Sequence, residues 1–262
     1  MSALKTGKLP ATPDHRDLLF AKYVDMDTVL PKVPEAFGHE DSVPEWGMLG
    51  NGPDPEMGPT FEGAGDCVFA GAAHETMLWT AVGDGEATFS THGVLADYGA
   101  VTGYTPSDPN SDQGTNVRDA LNYRRKTGVV DAHGQRHKIG AYVALQPGDI
   151  DHLYAALYLF GAVGIGVKFP ESAMQQFDSG QPWDVVDGAK VEGGHYIPLV
   201  ARRDGMLDCV TWAKVQPMTL KFFQEYCDEA YALLSEEMLG EDGTSPEGFN
   251  LTELQADLQA VD

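Results

Sequence analysis

Apolar positions recur at helical spacing through the first half of the chain and alternate with polar ones through the second. Val68, Phe69, Ala72, Ala73 and Met77 form one face of a helix running from Cys67 to about Ala81. "STHGVLADYGAVTGY" reads as a second helix behind a Ser90 or Thr91 cap, and "GTNVRDALNYRRKTG" as a third that stops at Gly128. "DIDHLYAALYLFG" is a fourth, with Leu153, Ala156, Leu157 and Phe160 in register and Gly161 behind them. The period then changes. "AVGIGVKF", "HYIPLVARR" and "LDCVTW" alternate as strands, the last two joined by a turn at Asp204-Gly205. "MTLKFFQEYCDEAYALL" begins as a helix, and its "EAYALL" fits a helix or a last strand equally. The tail "NLTELQADLQAVD" places Leu251, Leu254, Leu258 and Val261 on one helical face, with Asn250 and Glu253 as a capping box.

This pattern predicts an α+β protein organised as one integrated domain. Residues 1–60 form a proline-rich arm and loop, 61–160 a helical lobe, 161–240 a β lobe, and 241–262 an acidic C-terminal helix.

Charge narrows the partners. The chain carries 40 acidic against 17 basic residues, a formal net charge of -23, and this field repels nucleic acid and anionic membrane. The N-terminus lacks the apolar core of a signal peptide, and no apolar run reaches the roughly 20 residues a membrane span needs. Cys67, Cys209 and Cys227 are too few and too scattered for a disulfide framework, which fits a reducing cytoplasm or a virion assembled in one. No cofactor is expected. "DPNSDQG" from Asp108 resembles a calcium loop, but its glycine falls one place late and no glutamate closes it; a polar loop leading into a helix is the preferred reading.

The chemistry gathers around "EGAGDCVFAGAAHETMLW". A cysteine at a helix start faces free backbone N–H groups and a partial positive charge, and both favour a thiolate. Gly63 and Gly65 let the backbone approach closely, and Asp66 can cap the helix, although its charge would oppose the thiolate. On these residues alone Cys67 is either a nucleophile or an inert core cysteine. His74, seven residues along the helix, sits roughly 10 Å from the sulfur and reads as a core or interface histidine. His195 is different: it follows Gly193-Gly194 and opens a strand.

A helix-start cysteine followed roughly 130 positions later by a strand-start histidine resembles the papain-like cysteine peptidases, especially compact forms encoded by phages and actinobacteria. "GDCVFAGAAH" looks like their nucleophile helix, "DQGTNVRDALNYRRKTGVV" like the later helical-lobe segment, "HLYAALYLFGAVGIGVKFP" like the crossover into the β lobe and "GGHYIPLVARRDGMLDCVTW" like the histidine hairpin. The resemblance implies a two-lobe fold, with Cys67 as nucleophile, His195 as general base and acid, and Gly65, Asp66, Gly194 and Trp212 lining the cleft.

Three departures accompany it. Phe61 stands near the place of the family's oxyanion glutamine, so Asn51 is the best substitute if the loop Gly52–Gly65 bulges out and returns. Val210, Thr211 and Trp212 stand where the family has asparagine, a small residue and tryptophan. Alternation places Thr211 opposite the other two, leaving Asp208, a bulged Thr211, a backbone carbonyl or water to orient His195. Ala64 replaces a family cysteine. No long inhibitory pro-segment is evident, and the N-terminal arm reads as part of the mature fold.

Two functions are compatible with these residues. One is a cysteine hydrolase acting on a peptide or amide. The other is a non-catalytic papain-like module with protein partners, for example in a phage tail or virion. Trp183 is expected to border the cleft.

Overall fold

A computed structural model describes residues 4–12, 14–15, 17–22, 32–83 and 85–238. The expected helix over 241–262 lies outside them. Helix α1 (Cys67–Val82) is buried from Cys67 to Thr80, so it is apolar on nearly every side and forms the central post. Around it pack α2 (Thr91–Thr102) and α3 (Val117–Lys126). Their starts follow from local side-chain caps: Ser90 Oγ accepts from Gly93 N, and Asn116 Oδ1 accepts from Arg118 N. A small hairpin of β2 (Val129–Val130) and β3 (Arg136–His137) follows α3. Helix α4 (Ile150–Phe160) begins on an Asp149 cap and stops at Gly161, whose φ of 67° suits glycine.

The second lobe is one antiparallel sheet. It contains β1 (Phe37–Gly38), β4 (Ile139–Leu145), β5 (Val163–Pro170), β6 (Val191–Arg203), β7 (Met206–Thr211), β8 (Lys214–Met218) and β9 (Cys227–Ser235). Their order is β4-β9-β5-β6-β7-β8, with β1 added on β6. "EAYALL" is therefore strand, in β9, while α6 (Leu220–Tyr226) takes the helical start of that segment. Helix α5 (Glu171–Asp178) follows β5 directly. Strand β4 lies in sequence before α4 yet pairs with β9, so the sheet draws on residues from both halves of the chain.

Two tight turns set the site. Asp204 and Gly205 both have positive φ, the turn expected between β6 and β7. Trp212 and Ala213, with φ of 46° and 63°, make an equally tight turn between β7 and β8 without any glycine. Left-handed backbone in non-glycine residues costs of order 1 kcal/mol each and persists only where packing holds it. Here Trp212 is gripped by Phe169, Phe177 and Trp183.

The lobes are joined at Tyr196 on β6. Its ring fits between Gly71 and Gly164, where added side chains would come within 2.7 Å and 1.8 Å of it. Its hydroxyl donates to Glu75 Oε1 at 2.8 Å, and Glu75 also pairs with Arg124, both carrying almost no exposure. Burial raises the Glu75 pKa, and the Arg124 charge opposes that rise. Arg124→Met should therefore strand a buried carboxylate and cost about 3–5 kcal/mol in urea unfolding, whereas Glu75→Gln combined with Arg124→Met should recover much of it. Equal losses in the single and double variants would show that the cost does not come from the stranded Glu75 carboxylate.

Candidate active site

Cys67 is the first residue of α1 and is 1% exposed. Its Sγ accepts a hydrogen bond from Tyr196 N at 3.4 Å, which places the sulfur one residue along β6 from His195. His195 is fully buried. Its Nε2 shares a hydrogen bond with Thr211 Oγ1 at 2.8 Å, and its ring stacks on Trp212 at 4.5 Å and 13°. Phe169 meets the same imidazole edge-on. Nδ1 makes no hydrogen bond among the described residues.

Thr211 thus orients the histidine, with no bulge: Val210 and Thr211 pair in regular register with Val215 and Lys214. The expectation from strand alternation fails at Trp212, because its left-handed φ takes it out of the strand and swings its ring onto the histidine. Asp208 lies farther along the hairpin opposite Ala201 and Pro217, away from His195. A hydroxyl can donate or accept, so Thr211 fixes the plane of the imidazole more firmly than its tautomer.

Ninety-four chains of solved structures match this fold. The cysteine protease xylellain from Xylella fastidiosa superposes with a TM-score of 0.63 at 16% identity, covering 89% of this chain and 97% of that one. Procathepsin B S9 from Trypanosoma congolense gives 0.59 at 13% identity, over 88% of this chain and 86% of that chain. Procathepsin L2 from Tenebrio molitor gives 0.58 at 13% identity, over 88% and 78%. The fold is papain-like. No family model and no curated protein sequence matches the chain.

Within this papain-like frame the loop before Cys67 runs out and back. Ala64 N donates to Gly50 O at 2.8 Å, which brings Asn51 beside the segment leading to the sulfur. Asn51 is 2% exposed, and its Oδ1 has no hydrogen bond among the described residues. Asp66 does not cap α1. Its carboxyl packs against Gly50, where a side chain would come within 2.4 Å of Oδ2, and neither oxygen has a hydrogen-bond partner among the described residues. Burial pushes its pKa well up, with nearby Asp112 adding to the effect, so Asp66 is held towards its neutral form.

Asp112, from the polar loop before α3, escaped the sequence reading. Its carboxylate accepts from Gly65 N at 2.9 Å and from Tyr98 OH at 2.6 Å, tying down the glycine two residues before Cys67. Trp183 is core rather than cleft, fully buried between Phe169 and Phe222. His74 is a core histidine: its Nε2 contacts the Trp46 and Gly47 carbonyls, and burial lowers its pKa to about 4.

The N-terminal arm lies in the cleft itself. Lys5 N donates to Asn51 O, and Lys5 O accepts from Trp212 Nε1. Gly7 N and Lys8 N both donate to Gly194 O, while Gly7 O accepts from Thr115 N and Leu9 N donates to Thr115 O. Residues 5–9 therefore bridge the two lobes over Cys67. The arm is part of the folded chain, as expected, yet it also does what a blocking segment would do. It presents main-chain N–H groups of Gly7 and Lys8 to the sulfur, which favour the thiolate, but burial dominates and pushes the Cys67 thiol up to about 12. Burial alone takes His195 down to about 3. Both shifts have the same cause, burial, and both favour the neutral thiol and neutral imidazole while the arm is seated.

No described helix is long and apolar enough to cross a membrane.

Proposed function

We propose that the chain is a papain-like cysteine hydrolase of peptide or amide bonds, with Cys67 and His195 as its working pair and its own N-terminal arm closing the cleft at rest. The observation that carries this reading is the meeting of three parts: a cysteine on the first turn of α1, the Tyr196 amide on its sulfur, and next to it a histidine held by Thr211 and Trp212.

Once the arm leaves, water reaches the pair, and the desolvation that separates the two pKa values falls. The Cys67 proton passes to His195. The thiolate attacks the substrate carbonyl carbon, and the C=O electron pair moves onto oxygen. We assign the N-terminal amides of α1 and the Asn51 side-chain amide as the donors to that oxyanion. Collapse of the intermediate breaks the C–N bond as His195 protonates the departing amine, leaving a thioester on Cys67. Water then attacks the thioester, giving its proton to His195, and the acid and free thiol are regenerated.

The second reading, a papain-like module that binds partners without turnover, is favoured by the complete burial of Cys67 and His195. The two are separated by testing the full chain carrying Gly7→Leu against a fluorogenic peptide-amide library. An added side chain at Gly7 would lie 1.8 Å from Gly65 O, so the arm cannot reseat. Turnover that disappears with Cys67→Ala supports the hydrolase. No turnover in a folded Gly7→Leu protein with a reactive thiol would favour the binding module.

A further inference from the structure

The arm shows what the cleft is shaped to hold. Lys8 is 4% exposed, and its Nζ lies 2.9 Å from Asp228 Oδ1 and 3.1 Å from Glu229 Oε1. It also donates to Leu9 O. Both acids begin β9, and among the described residues no other cation pairs with either of them. The floor is bare backbone. A side chain at Gly166 on β5 would come within 2.0 Å of Lys8 Cε, and one at Gly194 within 2.3 Å of Lys8 O. The preceding position is a slot without room for a side chain: Gly7 lies against Gly65, and a Cβ at Gly114 would come within 2.2 Å of Gly7 O.

The Lys8 pocket is therefore a lysine socket, next to a glycine-sized slot, on an edge that pairs with extended backbone through Gly194 and Thr115. Emptying it would leave two neighbouring carboxylates with no cation, one of them, Glu229, already raised by burial. The protein's net charge of -23 adds a long-range field that draws cations in.

We propose that the Asp228–Glu229 pocket is the specificity pocket of this cleft, selecting extended peptides that carry a Gly-Lys pair, with Gly7-Lys8 of the arm as its resident occupant. This names a substrate class for the proposed hydrolase and so rests on that reading for turnover, but peptide recognition can be measured without it.

The test uses the full chain with Gly7→Leu and Lys8→Ala, which unseats the arm, plus Cys67→Ala to prevent cutting. Its probe is a fluorescent acetyl-Leu-Lys-Thr-Gly-Lys-Leu amide, compared with the same peptide bearing norleucine in place of the second lysine. The lysine peptide should bind about tenfold or more tightly than the norleucine peptide, and Asp228→Asn with Glu229→Gln should bring the two together. Equal binding of the two peptides to the parent protein would overturn the proposal. So would no binding while the same protein retaining Cys67 shows a freely alkylated thiol. A Cys67 that stays unreactive after both arm substitutions would overturn it as well, because Gly7 and Lys8 would then not be what seats the arm. If the lysine peptide binds selectively but the protein retaining Cys67 never cuts it, the pocket stands and the hydrolase reading falls.

Discussion

Gly7→Leu in the full chain should raise the rate of Cys67 alkylation by iodoacetamide at pH 7.5 by about a hundredfold or more over wild type. With the arm seated, the thiol sits up to about 12 and is 1% exposed. An ordinary solvent-reached thiol near 8.5 holds about three thousand times more thiolate at that pH, and access adds to the difference. Leucine at this position cannot be accommodated, because its Cβ alone would lie 1.8 Å from the Gly65 carbonyl. Peptide mapping of the labelled protein distinguishes Cys67 from Cys227 and the buried Cys209. An unchanged Cys67 rate with the fold intact would mean that the arm does not control the site.

The second large effect is at Thr211. In the Gly7→Leu background, Thr211→Val should lower kcat by roughly thirtyfold, about 2 kcal/mol, with KM little changed. Val210 is a core side chain, and among the described residues the Thr211 hydroxyl is the one hydrogen-bond partner of Nε2. Because a hydroxyl leaves the tautomer less firmly fixed than an amide oxygen, Thr211→Asn should restore or exceed the parent rate. A merely structural role for Thr211 would move both variants together and leave the pH profile of kcat unshifted, which would sink this assignment.

Much of the fold was legible because its signals are local. The α1 start at Cys67, the Ser90 cap of α2 and the β6–β7 turn at Asp204-Gly205 each depend on a few adjacent residues. The histidine's partner was legible only as one of four alternatives, since strand alternation places Thr211 and Trp212 on opposite faces and only the left-handed turn brings both to His195. The arm's position was hidden more deeply. An extended stretch such as "LKTGKL" has no periodicity, and its partners Asn51, Thr115 and Gly194 are contributed by three distant segments. Lys8 meets Asp228 and Glu229 only when the fold brings β9 beside the arm. Asp112 was missed for a similar reason: its partners Gly65 and Tyr98 meet it only in the folded helical lobe.

Cys67 and His195 should form an ion pair once the arm is displaced. The most direct test is the rate of Cys67 alkylation from pH 4 to 9 in Gly7→Leu, with and without His195→Ala. Labelling should persist well below pH 8.5 in Gly7→Leu, because an imidazolium stabilises the thiolate, and should follow an ordinary thiol titration once His195 is removed. An ordinary thiol titration in both proteins would contradict the ion pair.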